Sequence, residues 1–294
     1  VRSRGLGDVY KRQIMEQERK SIMVTWDFSA VSYHALKHAI KISLILKNHI
    51  LLFHIVKDQS EEKSAIEKLD RTREEIQKDY GVEVDYVVRS GKIFKEIADY
   101  ASKEEHKVNF VIMGTHGMKG GQKLFGSWAL KVIAGSAVPF IVVQDDPPQK
   151  ERYTDIVFPV DFRSENKEKL QWAIFLGKYL NSKIHLYKAP VGSKDLQKKV
   201  NVNLNFAIRF LIQNNIEYEL HTGSKYNLFQ KEILAFSKKI DADLILITTT
   251  KHITAMDYVF GAKEQYLLSN SEKIPVMCVN PKSNFAKVGQ FMYG

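Results

Sequence analysis

The residues with the clearest chemical potential are Gly114, Gly117, Gly126 and Ser127, in 113-MGTHGMKGGQKLFGSW-128. They follow an apolar, strand-like run at 108–113 and precede a helical pattern at about 126–136. Glycine lets a backbone approach a ligand closely, and a helix start presents unpaired N–H groups at a positive dipole end. Gly126 and Ser127 add a close approach and a hydroxyl donor. The pattern suits the phosphates of a nucleotide. A glycine-rich turn without a ligand fits the same spacing.

Asp27 is the second candidate. It ends the apolar run of 21-SIMVTWDFS-29. A carboxylate there can accept hydrogen bonds from a ribose hydroxyl or a base amine. It can equally cap a turn before Ser29. In a doubly wound sheet, strands one and four are neighbours where the strand order reverses, so Asp27 and Gly114 should meet there.

The elements that must position these residues occur twice. Asp27 recurs as Asp161, Gly91 as Gly223, Pro139 as Pro275 and His54 as His185, at shifts of about 131 to 136 residues. Each copy reads as five strands alternating with helices of ten to twenty residues, the pattern of βαβ units and a parallel sheet. In the first copy the strands are expected at 21–26, 50–56, 83–89, 108–114 and 138–143. The first helix should start after Ser29. The runs are near-continuously apolar, as in sheets covered on both faces. The fold class is therefore α/β, with two doubly wound, mostly parallel five-stranded sheets. The expected domains are 15–146 and 152–282, joined at the Asp/Pro cluster 145-DDPPQKERY-153. Residues 1–14 show neither periodicity and are expected to be a non-native or disordered tail, with Met15 as the natural start. Residues 283–294 form a C-terminal tail.

The second copy departs at the loop. Thr248 and Lys251 stand for the two glycines, and Ala262 replaces the hydroxyl after Gly261. That copy should have lost the phosphate site. His54, His116 and His185 fall in no Cys/His/Asp/Glu cluster with metal-ligand spacing, so no protein-held metal is expected. The P-loop, nucleophile-elbow and zincin patterns are absent, and no base–nucleophile pair suggests efficient catalysis.

Composition bounds the rest. With 44% apolar and 27% charged residues, the chain is of the globular class. No apolar run approaches the ~18–20 residues of a membrane helix. The single cysteine, Cys278, excludes an internal disulfide and lies in an apolar run, which points to burial in a reducing compartment. A cytoplasmic protein without a membrane is the expectation. The net charge of +10 divides into +3 in residues 1–13, +1 in 14–150 and +6 in 151–294. Without a run of like charge, this is a soluble basic surface more than a nucleic-acid interface.

Over about 15–282 these motifs resemble the universal stress protein family in its tandem form. The family's first strand ends in V-P-x-D-F-S, as in 24-VTWDFS-29 and 159-PVDFRS-164, with Thr25 and Trp26 departing from it. Its nucleotide signature is G-x-x-G, nine residues, then G-S/T. Gly114 and Gly117 are followed by eight residues and then Gly126-Ser127, with Trp128 where a small or β-branched residue is usual. The resemblance implies an adenine nucleotide such as ATP, with or without Mg2+, in the first domain as a regulatory ligand, and at most slow hydrolysis. Asp27 would contact the nucleoside and Ile55 would lie by the adenine, with Thr25 and Met113 also among the nucleotide-binding residues. Gly114, Gly117, Gly126, Ser127 and Trp128 would lie at the phosphates. It also implies an internal pseudo-dimer joined through the last strands, 138–143 and 274–279, and a homo-dimer or protein partner. The alternative is a nucleotide-independent member acting through dimerisation and partner contacts. A nucleotide-hydrolase enzyme would need a Ser-Gly-Gly loop that 27-DFSAVS-32 does not supply.

Overall fold

In the computed structural model, residues 20–116, 132–163, 166–249 and 262–280 are described below. The first half runs β1 (Ser21–Trp26), α1 (Ala30–Leu46), β2 (His49–Val56), α2 (Glu62–Tyr80), β3 (Val84–Ser90), α3 (Ile93–Ser102), β4 (Val108–Gly114) and β5 (Phe140–Val143). Residues 132–135 before β5 are helical. The second half repeats the order: β6 (Asp155–Val160), α4 (Asn166–Leu180), β7 (Lys183–Lys188), α5 (Lys194–Gln213), β8 (Tyr218–Thr222), α6 (Phe229–Lys239), β9 (Leu244–Thr248), α7 (Ala262–Leu268) and β10 (Val276–Val279).

The strands form one ten-stranded sheet in the order β3-β2-β1-β4-β5-β10-β9-β6-β7-β8. All pairings are parallel except the central one, where β5 meets β10 antiparallel with Ile141 opposite Met277. The expected pairing of last strands is thus present. It merges the two expected sheets into one, because each half would otherwise leave a short apolar edge unpaired. Within each half the order reverses beside the first strand: β1 pairs with both β2 and β4, and β6 with both β7 and β9.

Both faces of the sheet are covered, which accounts for the unbroken apolar strands. Ile22, Val24, Ile156 and Phe158 pack with α1, α2, α4 and α5 on one face. Met23, Val111, Val157 and Ile245 pack with α3, α6 and α7 on the other. The halves are also tied outside the sheet. Phe110 meets Trp172 edge-on at 6.2 Å. Asn280 donates through Nδ2 to the carbonyls of Ala134 and Ser136, at 2.6 and 3.1 Å. His38, on α1, is buried against Tyr153 of the connecting segment. The tyrosine hydroxyl donates to His38 Nδ1, and His38 Nε2 donates to the Asp145 carbonyl at 3.0 Å.

One expected equivalence is corrected by the register. Trp26 pairs with His54, and its counterpart Val160 pairs with Lys188. His185 lies three residues earlier, opposite Val157, and corresponds to Leu51. The two second-strand histidines are therefore not counterparts; a sequence offset that drifts by three residues cannot resolve positions along a strand of six.

Candidate functional site

β1 ends at Trp26, and the chain turns through Asp27 and Phe28 into α1. Phe28 adopts φ 61, an uncommon left-handed conformation for a side chain of this size. Its ring is held edge-on between Trp26 at 5.7 Å and His54 at 5.0 Å. His54 Nδ1 in turn donates to the Trp26 carbonyl at 2.8 Å, so this histidine fastens the turn to β2. Asp27 Oδ1 accepts from the Ser29 backbone N–H at 3.0 Å and from the Ser29 hydroxyl at 2.5 Å. Ser29 is the N-cap of α1, its hydroxyl accepting from the Ser32 N–H. The carboxylate is exposed, and among the described residues Oδ2 has no hydrogen-bond partner.

Beside this turn lies a cavity of about 300 Å³ lined by Thr25, Asp27, Ile55, Ile97, Met113 and Gly114, with Val31, Phe53, Ile93 and Val132 completing its mainly apolar wall. It opens at the carboxyl ends of β1, β2 and β4, where the strand order reverses, the place at which open α/β sheets bind ligands. Five residues expected from sequence to hold a nucleoside or its phosphates therefore share one cavity: Thr25, Asp27, Ile55, Met113 and Gly114. Gly117, Gly126, Ser127 and Trp128 lie outside the described residues. A larger cavity of about 520 Å³ sits at the ends of β2 and β3, among Arg89, Glu62, Glu96, Asp99 and Lys103. Its charged walls and its distance from the strand reversal make it the poorer nucleoside site.

Gly114 is also required by the fold itself. Its φ is not positive, so no special backbone conformation requires glycine. A Cβ at this position would lie 2.0 Å from the Val31 carbonyl oxygen, far inside contact distance. Glycine here lets β4 pass under the first turn of α1, and that close approach shapes the floor of the cavity. Next to it, the Thr115 hydroxyl is buried without a partner among the described residues.

The second half builds the same turn and fills it. The Arg163 backbone N–H donates to Asp161 Oδ1 at 3.0 Å, matching Ser29 on Asp27. Arg163 Nε then donates to Asp161 Oδ2 at 2.7 Å, and its Nη1 donates to Glu264 Oε1 at 2.6 Å. Glu264 comes from α7 and is buried. Asn203 Nδ2 donates to the carbonyls of both Asp161 and Arg163. Below them Lys169 is fully enclosed, its ammonium donating to the Pro159 carbonyl and standing 4.3 Å from the Phe158 ring centroid. Burial pushes the Lys169 amine down to about 7, against the pull of Asp161. Thr248 closes β9 as an ordinary buried strand residue, while Lys251 and Gly261 lie outside the described residues. The guanidinium that occupies this turn was signalled in sequence only by the arginine in 160-VDFRS-164.

Residues 18–144 match the model of the universal stress protein family. A universal stress protein of Methanocaldococcus jannaschii is 29% identical over 154 residues, covering 45% of this chain and 85% of that protein. Two solved structures extend over both halves. A universal stress protein from Archaeoglobus fulgidus aligns with TM-score 0.66 at 18% identity, over 89% of this chain and 98% of its own. A Pseudomonas aeruginosa protein of unknown function aligns with TM-score 0.61 at 16% identity, over 94% of this chain and 98% of its own. At these identities the two structures speak to the fold alone.

Proposed function

Residues 18–144 match the universal stress protein family, and from that premise we propose that this first half of the chain binds an adenine nucleotide as a conformational ligand. The observation that carries this reading is the cavity at the strand reversal, apolar along Ile55, Met113 and Val132, with the exposed Asp27 carboxylate at its mouth. Apolar walls suit a purine face, and a carboxylate with an uncommitted oxygen suits the paired hydroxyls of a ribose. In this reading Gly117, Gly126 and Ser127, which lie outside the described residues, would hold the phosphates, and any Mg2+ would arrive with ATP. The second half takes no nucleotide in this reading, because Arg163 already satisfies Asp161. In this reading the nucleotide acts by being bound, and any hydrolysis is slow. Binding would stiffen the turn between β1 and α1, whose helix packs on α4 of the other half, and so reach the whole sheet and any protein partner or second copy.

The test is calorimetric titration of the parent chain and of Asp27→Ala with ATP, adenosine and GTP. Saturable binding of ATP and adenosine, weaker with GTP, is expected. Asp27→Ala should weaken both adenine ligands about tenfold or more, the scale of a hydrogen bond to a charged group. Absence of heat with both adenine ligands in the parent would leave a nucleotide-independent protein that works through partner contacts. Equal binding in Asp27→Ala would move the site elsewhere.

A further inference from the structure

On the outermost strand pair of the second half, three side chains from different positions in the chain converge. β7 and β8 pair in parallel with His185 opposite Glu219 and Tyr187 opposite His221. Side chains alternate along a strand, so Glu219 and His221 share a face of β8, and His185 shares it as Glu219's partner in register. We propose that His185, His221 and Glu219 form a binding site for a divalent first-row transition metal, with zinc as the representative ion.

The spacing is that of a shared ion. His185 Nδ1 and His221 Nε2 are 3.2 Å apart. Two imidazole nitrogens on one tetrahedral zinc, each at about 2.0–2.1 Å, stand roughly 3.3 Å from one another. The Glu219 carboxylate lies 3.9 Å from His185 Nδ1 and 3.8 Å from His221 Nε2. A small side-chain rotation therefore closes the third bond. All the ligand atoms lie within 4.8 Å of one another.

Protonation also favours it. His185 Nε2 is 2.9 Å from Asp155 Oδ1, so in the neutral ring the proton sits on Nε2 and the lone pair of Nδ1 faces His221. A carboxylate fixing the far nitrogen of a ligating histidine is the usual supporting arrangement at protein metal sites. The Phe236 ring backs both imidazoles, 6.0 Å from His185 and 4.3 Å from His221 between centroids. Lys183 Nζ holds Glu219 Oε2 at 2.9 Å and must share it when a metal binds. Two imidazoles and one carboxylate leave a fourth position to solvent, a donor set suited to zinc, copper or nickel and poorly suited to magnesium or calcium.

The site is peculiar to the second half. In the first half the register partners at the corresponding places are Leu51 with Asp85 and Phe53 with Val87, which lack any imidazole. β8 is also an outer strand of the ten-stranded sheet, and an ion bridging it to β7 would pin an edge held there by one set of backbone hydrogen bonds.

The experiment uses the full chain without an affinity tag, stripped with chelator, and titrated with zinc chloride by calorimetry. Cobalt(II) absorption serves as a geometric readout. One zinc per chain, a rise in Tm and intense tetrahedral cobalt bands are expected. His221→Ala and, independently, the exposed Glu219→Gln should abolish the cobalt bands and the Tm rise. Asp155→Asn should weaken zinc by about 10- to 100-fold. His49→Ala, remote from the cluster, should bind as the parent does. The proposal is overturned if the parent takes up no stoichiometric zinc, or if His221→Ala and Glu219→Gln, folded by circular dichroism, bind it as tightly as the parent.

Discussion

Arg163 grips Asp161 twice, by its backbone N–H at 3.0 Å and by Nε at 2.7 Å, in a turn whose counterpart in the first half offers Asp27 only a serine. The two turns begin with the same hydrogen bond to Oδ1 and then diverge by one side chain. One turn thus lines a candidate ligand cavity, and its counterpart in the other half is an internal ion-pair cluster.

Removing that guanidinium should be costly. Arg163→Ala strands Glu264, whose side chain is only 6% exposed, although the arginine itself is about one-third exposed. Loss of a fully buried partner costs about 3–5 kcal/mol, and partial screening should reduce this to about 2–3 kcal/mol. Adding Glu264→Gln should restore part of the loss. Urea denaturation of the two single variants and the double variant measures the coupling, and additive single losses would show that the pair does not interact.

Gly114→Ala should destabilise the first half without any ligand present. The new Cβ would sit 2.0 Å from a backbone carbonyl that cannot rotate away. Overpacking of this kind typically costs about 1–3 kcal/mol, read as a lower Tm. An unchanged Tm would mean that α1 shifts freely over β4.

Acid should weaken the junction between the halves through His38. Burial holds its imidazole down at about 4, from an ordinary 6.5. Between these values the unfolded chain binds a proton that the folded chain refuses, so stability rises with pH across the window and is lost as pH falls from 6.5 toward 4. The full effect is about 3 kcal/mol. His38→Gln should flatten the slope of unfolding free energy against pH between 4 and 6.5 relative to the parent. His106 and His221, also lowered by burial, act with the same sign in both proteins and cancel in the comparison.

Cys278 should report on the central strand pair. It lies opposite Phe140 across β5 and β10, fully buried, and burial pushes its thiol far above the usual range. Ellman's reagent should therefore react in denaturant and barely in the native state. Fast native reaction would show that the β5–β10 junction opens readily.

The chain's own order of residues determined a good deal. The repeat, the first-half strands at 21–26 and 108–114 and the helix after Ser29 all follow from apolar periodicity and a local cap, which are short-range signals. So did the meeting of Asp27 with Gly114, because a doubly wound sheet has one place where its order reverses. Three things were decided only in the tertiary structure. Glycine at 114 answers to Val31, which arrives from another element. Arg163 is bound by Glu264, a residue about a hundred positions away. His185 joins Glu219 and His221 because β7 and β8 pair in one register and no other, and a slip of one residue would turn β8's pair to the opposite face. Local sequence encodes each element and its faces; which faces meet, and at what register, is set by packing the whole sheet.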